Sequence, residues 1–161
     1  MNQKKLSYLG LFAAVAIIFG YVESLLPFFA GIPGMKLGLA NLAVLFILEK
    51  YTWKEAALVS IVRIIVIGFM FGNLFSILYS LAGAALSLAV MTFMKKKSGF
   101  SILGISVAGG VSHNIGQLII AGLITMTSGL IYYAPALLIS GVITGLLIGT
   151  LTSEVLKRIH F

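Results

Sequence analysis

The chain has 161 residues, 60% of them hydrophobic and only 9% charged, with a net charge of +7 and a mean hydropathy of +1.15. A soluble domain carries about a quarter charged residues, and a chain this short leaves much of its surface exposed, so the composition excludes a water-soluble fold. It defines an all-α membrane protein, a single integral membrane domain over residues 1–161.

Spans follow from dividing the chain at its charges and turn residues, with about 20 helical residues needed per bilayer crossing. Lys4 and Lys5 precede an apolar run with a signal-peptide look, expected to stay uncleaved because the rest is equally membranous. The first span covers residues 6–26 and stops at Pro27. A turn-rich segment, residues 27–36, leads to a short second span at 37–48. Residues 49–55 form a polar connection with interface aromatics before a third span at 56–71. Gly72 and Asn73 break it, and a fourth span follows at 74–94. The 56 uncharged residues between Lys97 and Glu154 would reach about 84 Å as one helix, nearly three hydrocarbon cores. They must fold back around residues 127–135, giving spans at 101–125 and 135–156. Six spans are predicted.

Lysine and arginine side chains orient the bundle. Lys4, Lys5, Lys50, Lys54, Lys95, Lys96, Lys97, Lys157 and Arg158 fall at alternate boundaries, leaving Lys36 on the other side and Arg63 within a span. Both termini are therefore expected on the cytoplasmic side. The same placement favours membrane anchoring over nucleic acid as the reason for the basic charge. Span 2 reaches only about 18 Å, so the preceding connection is expected to dip into the outer leaflet and wall a pocket.

Ionisable groups inside a membrane cost at least about 2.5–3.5 kcal/mol on insertion scales and require a partner or a function. Glu23, Asn41, Arg63, His113, Asn114 and Gln117 lie within spans, and Lys36 lies at a span entrance. His113 and Gln117 share one helix face. Glu23 and Arg63 read either as a structural ion pair or as ligand contacts. Asn41 and Gln117 read as interhelical hydrogen bonds or as ligand contacts. Lys36 either snorkels to headgroups or reaches a ligand, His113 is a core or a ligand residue, and Asn73 reads as turn chemistry. Small residues recur at four-residue spacing on span 6 (Gly141, Gly145, Gly149) and span 3 (Gly68, Gly72), as helix-packing faces do. On span 1 the spacing gives Gly10, Ala14 and Ala16, Gly20.

Several chemistries are absent. There is no Cys for a disulfide, thiolate metal site or nucleophile, no Asp for an aspartate-rich magnesium-diphosphate motif, and no Walker-type ATP loop. Two His, one of them penultimate, cannot supply a pair of axial haem ligands. No cofactor, no metal and no catalytic residue is expected; the protein reads as a non-enzyme.

Three stretches together carry a resemblance: Pro33-Gly-Met-Lys-Leu-Gly-Leu-Ala-Asn41, the lone Arg63, and Ser112-His-Asn-Ile-Gly-Gln117. They resemble the bacterial Gx transporter family, also labelled heptaprenyl diphosphate synthase component I, over essentially the whole chain. That family is similar in fold to the S components of energy-coupling-factor transporters. The resemblance implies six helices, an outward-facing site, a lid after span 1, and docking on a transmembrane coupling subunit through small residues of span 1. Such proteins typically use Ala-x-x-x-Ala; here the equivalents are Gly10-x-x-x-Ala14 and Ala16-x-x-x-Gly20.

The expected function is a multi-pass substrate-binding subunit in the bacterial cell membrane. It would bind a small organic molecule such as a vitamin or a quinone, isoprenoid or flavin precursor for uptake driven by partner ATPases. The site would be lined by Lys36, Asn41, Arg63, His113, Asn114 and Gln117, with Glu23 close by. The alternative is a non-transporting accessory subunit in quinone or isoprenoid synthesis or flavin-based electron transfer.

Overall fold

Turn chemistry in the sequence sets where each helix begins. Thr52 and Glu55 form a capping box: the Thr52 hydroxyl accepts from the Lys54 N–H, and the Glu55 carboxylate accepts from the Thr52 N–H at 3.1 Å. Asn73 caps the next helix by accepting from the Ser76 N–H at 2.8 Å, which is the turn role expected of it. Ser101 does the same toward Gly104 at 3.1 Å.

In a computed structural model, residues 3–25, 38–97, 99–126 and 128–158 are described. They form α1 (Gln3–Leu25), α2 (Leu39–Lys50), α3 (Trp53–Phe71), α4 (Leu74–Lys96), α5 (Ile102–Thr125) and α6 (Ala134–Arg158), with a 3-10 segment at Ser128–Tyr133 before α6. The proposed turn near residues 127–135 is that 3-10 segment, and Pro135 sits in the first turn of α6, where its missing N–H costs nothing. The connection at 27–36, with Lys36, lies outside the described residues.

Four helical segments are long and apolar enough to cross a membrane: Gln3–Leu25, Leu74–Lys96, Ile102–Thr125 and Gly129–Arg158. Large apolar side chains cover their outside, including Leu123, Ile131 and Tyr132. Continuous apolar exposure of this kind suits acyl chains and not water. Helix α3 has 19 residues but carries Lys54, Glu55 and Arg63, and α2 has only 12. Helix α2 is apolar on every side: Ala43 through Leu48 are all buried. Such a helix belongs in an interior, and α2 packs against α1, α3 and α6.

The helices close into a ring, α1 on α3, α3 on α4, α4 on α5, α5 on α6 and α6 on α2, which returns to α1. Backbone contact between glycines draws one side of the ring tight. A Cβ on Gly110 would lie 2.4 Å from the Gly141 carbonyl oxygen, and one on Gly145 would lie 2.6 Å from the Val107 Cα. The α4–α5 crossing is similar, with a Gly116 Cβ 2.8 Å from the Ala82 oxygen. The glycine face of α6 is therefore bundle packing.

Span 1 departs from the reading of a single outward small-residue face. Gly10 and Ala14 are exposed, and a Cβ on Gly10 would meet nothing within 4 Å. Ala16 is 0% exposed, and a Cβ on Gly20 would lie 2.9 Å from Ile67 of α3. The two pairs are offset around the helix, so only the first is available to a partner. The second lets α1 approach α3.

The lysine-rich end is stapled by ions. Lys5 of α1 pairs with Glu55 of α3. Lys95 of α4 donates to the Leu48 and Glu49 carbonyls and lies 3.6 Å from the Glu49 carboxylate, so α4 supplies the cation at the C-terminus of α2. The Lys5 ammonium, with help from the Thr52 hydroxyl, lowers the Glu55 pKa from 4.5 to about 2. A lowered folded-state pKa contributes stability that is present above pH 4.5 and lost as the pH falls toward 2. Thermal stability in detergent is expected to decline over that window, and Glu55→Gln should flatten the decline. An equally steep decline in Glu55→Gln would assign it to other groups.

Candidate functional site

Inside the ring, side chains from all six helices converge on one cavity of about 40 Å³. Helix α3 brings Arg63, about ten residues beyond its start at Trp53 and well inside the bundle. Helix α2 brings Asn41 from its first turn, and α1 brings Glu23 from near its end. Helix α5 brings His113, Asn114 and Gln117, which the 3.6-residue repeat directs to the same side. Six of the seven residues singled out from the sequence therefore share one cavity. The seventh, Lys36, lies outside the described residues.

Within that cavity the partners differ from the simplest expectation. Arg63 Nη2 donates to Asn41 Oδ1 at 3.4 Å, a long contact, and Arg63 Nε is buried without a hydrogen-bond partner among the described residues. Glu23 does not form an ion pair with Arg63. Its carboxylate accepts from the Leu39 N–H at 2.9 Å. That bond satisfies a free donor at the start of α2 and places a negative charge at the positive end of the helix dipole. The local backbone explains why a distant side chain is needed: Gly38, with φ of 73°, precedes α2 and has no side chain to cap it.

Asn114 donates its amide to the Leu137 carbonyl at 2.6 Å, tying α5 to α6. Part of its capacity is thus structural. His113 packs beside Gly83 of α4, its Cδ2 3.0 Å from where a Cβ would stand. Gln117 is 8% exposed and lines the cavity from α5.

Two lining residues went unread in the sequence, Ser80 of α4 and Thr144 of α6. The Thr144 hydroxyl donates to the Ser140 carbonyl at 2.9 Å. Hydroxyls within helices commonly bond back to their own backbone, so nothing in their spacing marks them as cavity residues.

Apolar helices long enough to cross a bilayer, arranged around an internal polar cavity, define a multi-pass helical membrane protein. The chain belongs to the family described as heptaprenyl diphosphate synthase component I, whose model matches residues 12–155. No curated protein and no solved structure matches it.

Proposed function

We propose that the protein is a membrane-embedded binding subunit that takes up a small organic anion and is energised by partner ATPases, in the manner of energy-coupling-factor S components. The supporting observation is Arg63: a guanidinium inside the ring, with one long contact to Asn41 and with Glu23 in the same cavity but not at ion-pair distance, in a cavity built by six helices. Burying such a group is costly unless it is paired, and an anionic ligand supplies the pair. Asn41 and Gln117 would orient the ligand, His113 and Asn114 would line it, and Lys36 would add a second cation. No residue is assigned a catalytic role. The exposed Gly10 and Ala14 would receive the coupling subunit.

The family's printed description, a component of a synthase, favours a second reading. In it the protein assists a membrane enzyme of isoprenoid or quinone metabolism and moves nothing.

In both readings the chain crosses a bacterial cell membrane six times with its termini inside. Tagged protein purified from its native membranes should carry a coupling subunit and ATPases, and Gly10→Leu should remove them while leaving the isolated protein folded. Cysteine at Met126 should label from outside and cysteine at Lys97 should not. Recovery of a prenyl- or quinone-modifying enzyme in place of ATPases would select the accessory reading, and outside labelling at position 97 would invert the topology.

A further inference from the structure

The Arg63 cavity is too small for the molecule proposed to bind there. At about 40 Å³ it has room for about three waters, whereas sites for organic ligands measure about 300–1,000 Å³. A carboxylate or phosphate group fits, and the body attached to it does not. The rest of the ligand must lie elsewhere.

The surrounding space shows where. Helices α4 and α5 touch backbone to backbone at Gly83 and Gly116. Toward the end away from the lysines they diverge and leave a groove of about 570 Å³. Ser80 and Gln117 line both this groove and the Arg63 cavity, so the two spaces adjoin at these side chains. A side cavity of about 220 Å³, mainly apolar, opens from the same place and shares Tyr79 and Gln117 with the groove. The rim carries Phe75 and Ile124 together with Asn73 and Thr125, all four exposed. Ser80 lies about 9 Å along α4 from its start at Leu74, so the groove extends over the first two turns of α4.

We infer that the ligand is an anionic amphiphile, which enters sideways from the bilayer between α4 and α5 and places its anionic head on Arg63 past Ser80 and Gln117, with its apolar body in the side cavity lined by Leu118, Leu130 and Leu137. This rests on reading Arg63 as the anion site. The Arg63 Nε, buried without a hydrogen-bond partner among the described residues, marks the end of the path, and Gln117 stands at its threshold. The mouth is mixed, with exposed Phe75 and Ile124 toward acyl chains and exposed Asn73 and Thr125 at the ends of the helices, which suits a molecule with one apolar and one polar part. The polar head is the only part that needs the interior, which matches the small cavity beyond a large groove.

The test uses the intact protein in nanodiscs and a decanoate analogue with a diazirine at its chain end. Saturable photo-crosslinking is expected, with adducts mapping to residues 73–80 of α4 and 117–125 of α5. Unlabelled decanoate should compete at least tenfold better than butyrate or inorganic phosphate. Arg63→Gln and the rim-filling Ile124→Trp should each lower saturable crosslinking at least tenfold, with thermal unfolding confirming that each variant is folded. Arg63→Lys, which keeps the charge, replaces Arg63→Gln if the latter does not fold. If butyrate and phosphate compete as well as decanoate and Ile124→Trp has no effect, the anion site stands and the lateral route is overturned. If crosslinking is unsaturable, or indifferent to Arg63, the anion site itself fails and this inference fails with it.

Discussion

Arg63→Met is expected to abolish binding of an anionic ligand while leaving the melting temperature of the ligand-free protein unchanged or higher. The reason is that Glu23, the acid that shares the Arg63 cavity and attracts the guanidinium, does not reach ion-pair distance. Glu23 is engaged by the α2 N-terminus, and the only described partner of the guanidinium is the Asn41 amide oxygen at 3.4 Å. Removing a buried charge that lacks an ion-pair partner relieves a desolvation cost, whereas removing half of a buried pair costs about 3–5 kcal/mol. Arg63→Lys should keep the fold and weaken the ligand by about 1–3 kcal/mol, because an ammonium cannot reproduce the two-pronged geometry of a guanidinium. Thermal unfolding of the wild type and both variants, with and without ligand, checks this. A drop of several kcal/mol in Arg63→Met without ligand, recovered by combining it with Glu23→Gln, would make Arg63 and Glu23 a structural pair after all.

Gly110→Leu is expected to prevent folding, and Gly110→Ala to cost about 1–3 kcal/mol, in the range of core overpacking. The Cβ that alanine adds would stand 2.4 Å from the Gly141 carbonyl oxygen, which is backbone and cannot rotate away. The two helices must separate, and the Arg63 cavity, lined by Gly110 itself, must change shape with them. Gly122→Leu on the same helix is the control. Its Cβ would meet nothing within 4 Å, and surface substitutions of this kind stay within about 0.5 kcal/mol. Size-exclusion profiles and melting temperatures of the three variants decide it. Equal behaviour of positions 110 and 122 would mean that the glycine contact does not hold α5 to α6.

Much of the helical order was legible because charges and turn residues punctuate an otherwise continuous apolar chain. Asn73, Ser101 and Thr52 cap helices where the breaks were expected, and the shortness of α2 was readable from residues 37–48. The polar cluster was legible for the same reason: in so apolar a chain each Asn, Gln, His or Arg stands out by its cost. What sequence spacing did not show was pairing. The Glu23 carboxylate meets a backbone N–H and not the cation at Arg63, because helix N-termini compete for carboxylates and carry no residue signature of their own. Ser80 and Thr144 were invisible because a small hydroxyl within a helix looks the same in sequence whether it faces a cavity or lipid, and the Thr144 hydroxyl bonds its own helix. Span 1 misled through periodicity alone. Gly10, Ala14 and Ala16, Gly20 share a spacing, yet rotation about the helix axis sends one pair outward and the other against α3.

The brevity of α2 has a consequence for how the protein is made. At 12 residues it reaches about 18 Å, against a hydrocarbon core of about 30 Å, so it cannot settle in a bilayer as an independent unit. Its N-terminal N–H is satisfied by Glu23, already synthesised, but the side chain that bonds its Leu48 and Glu49 carbonyls is Lys95, which emerges some 46 residues later. Translation therefore passes through a stage in which α2 has one end satisfied and the other waiting for α4. Assembly cannot proceed strictly one helix at a time, and α2 takes its final seat only after a helix two places downstream has arrived.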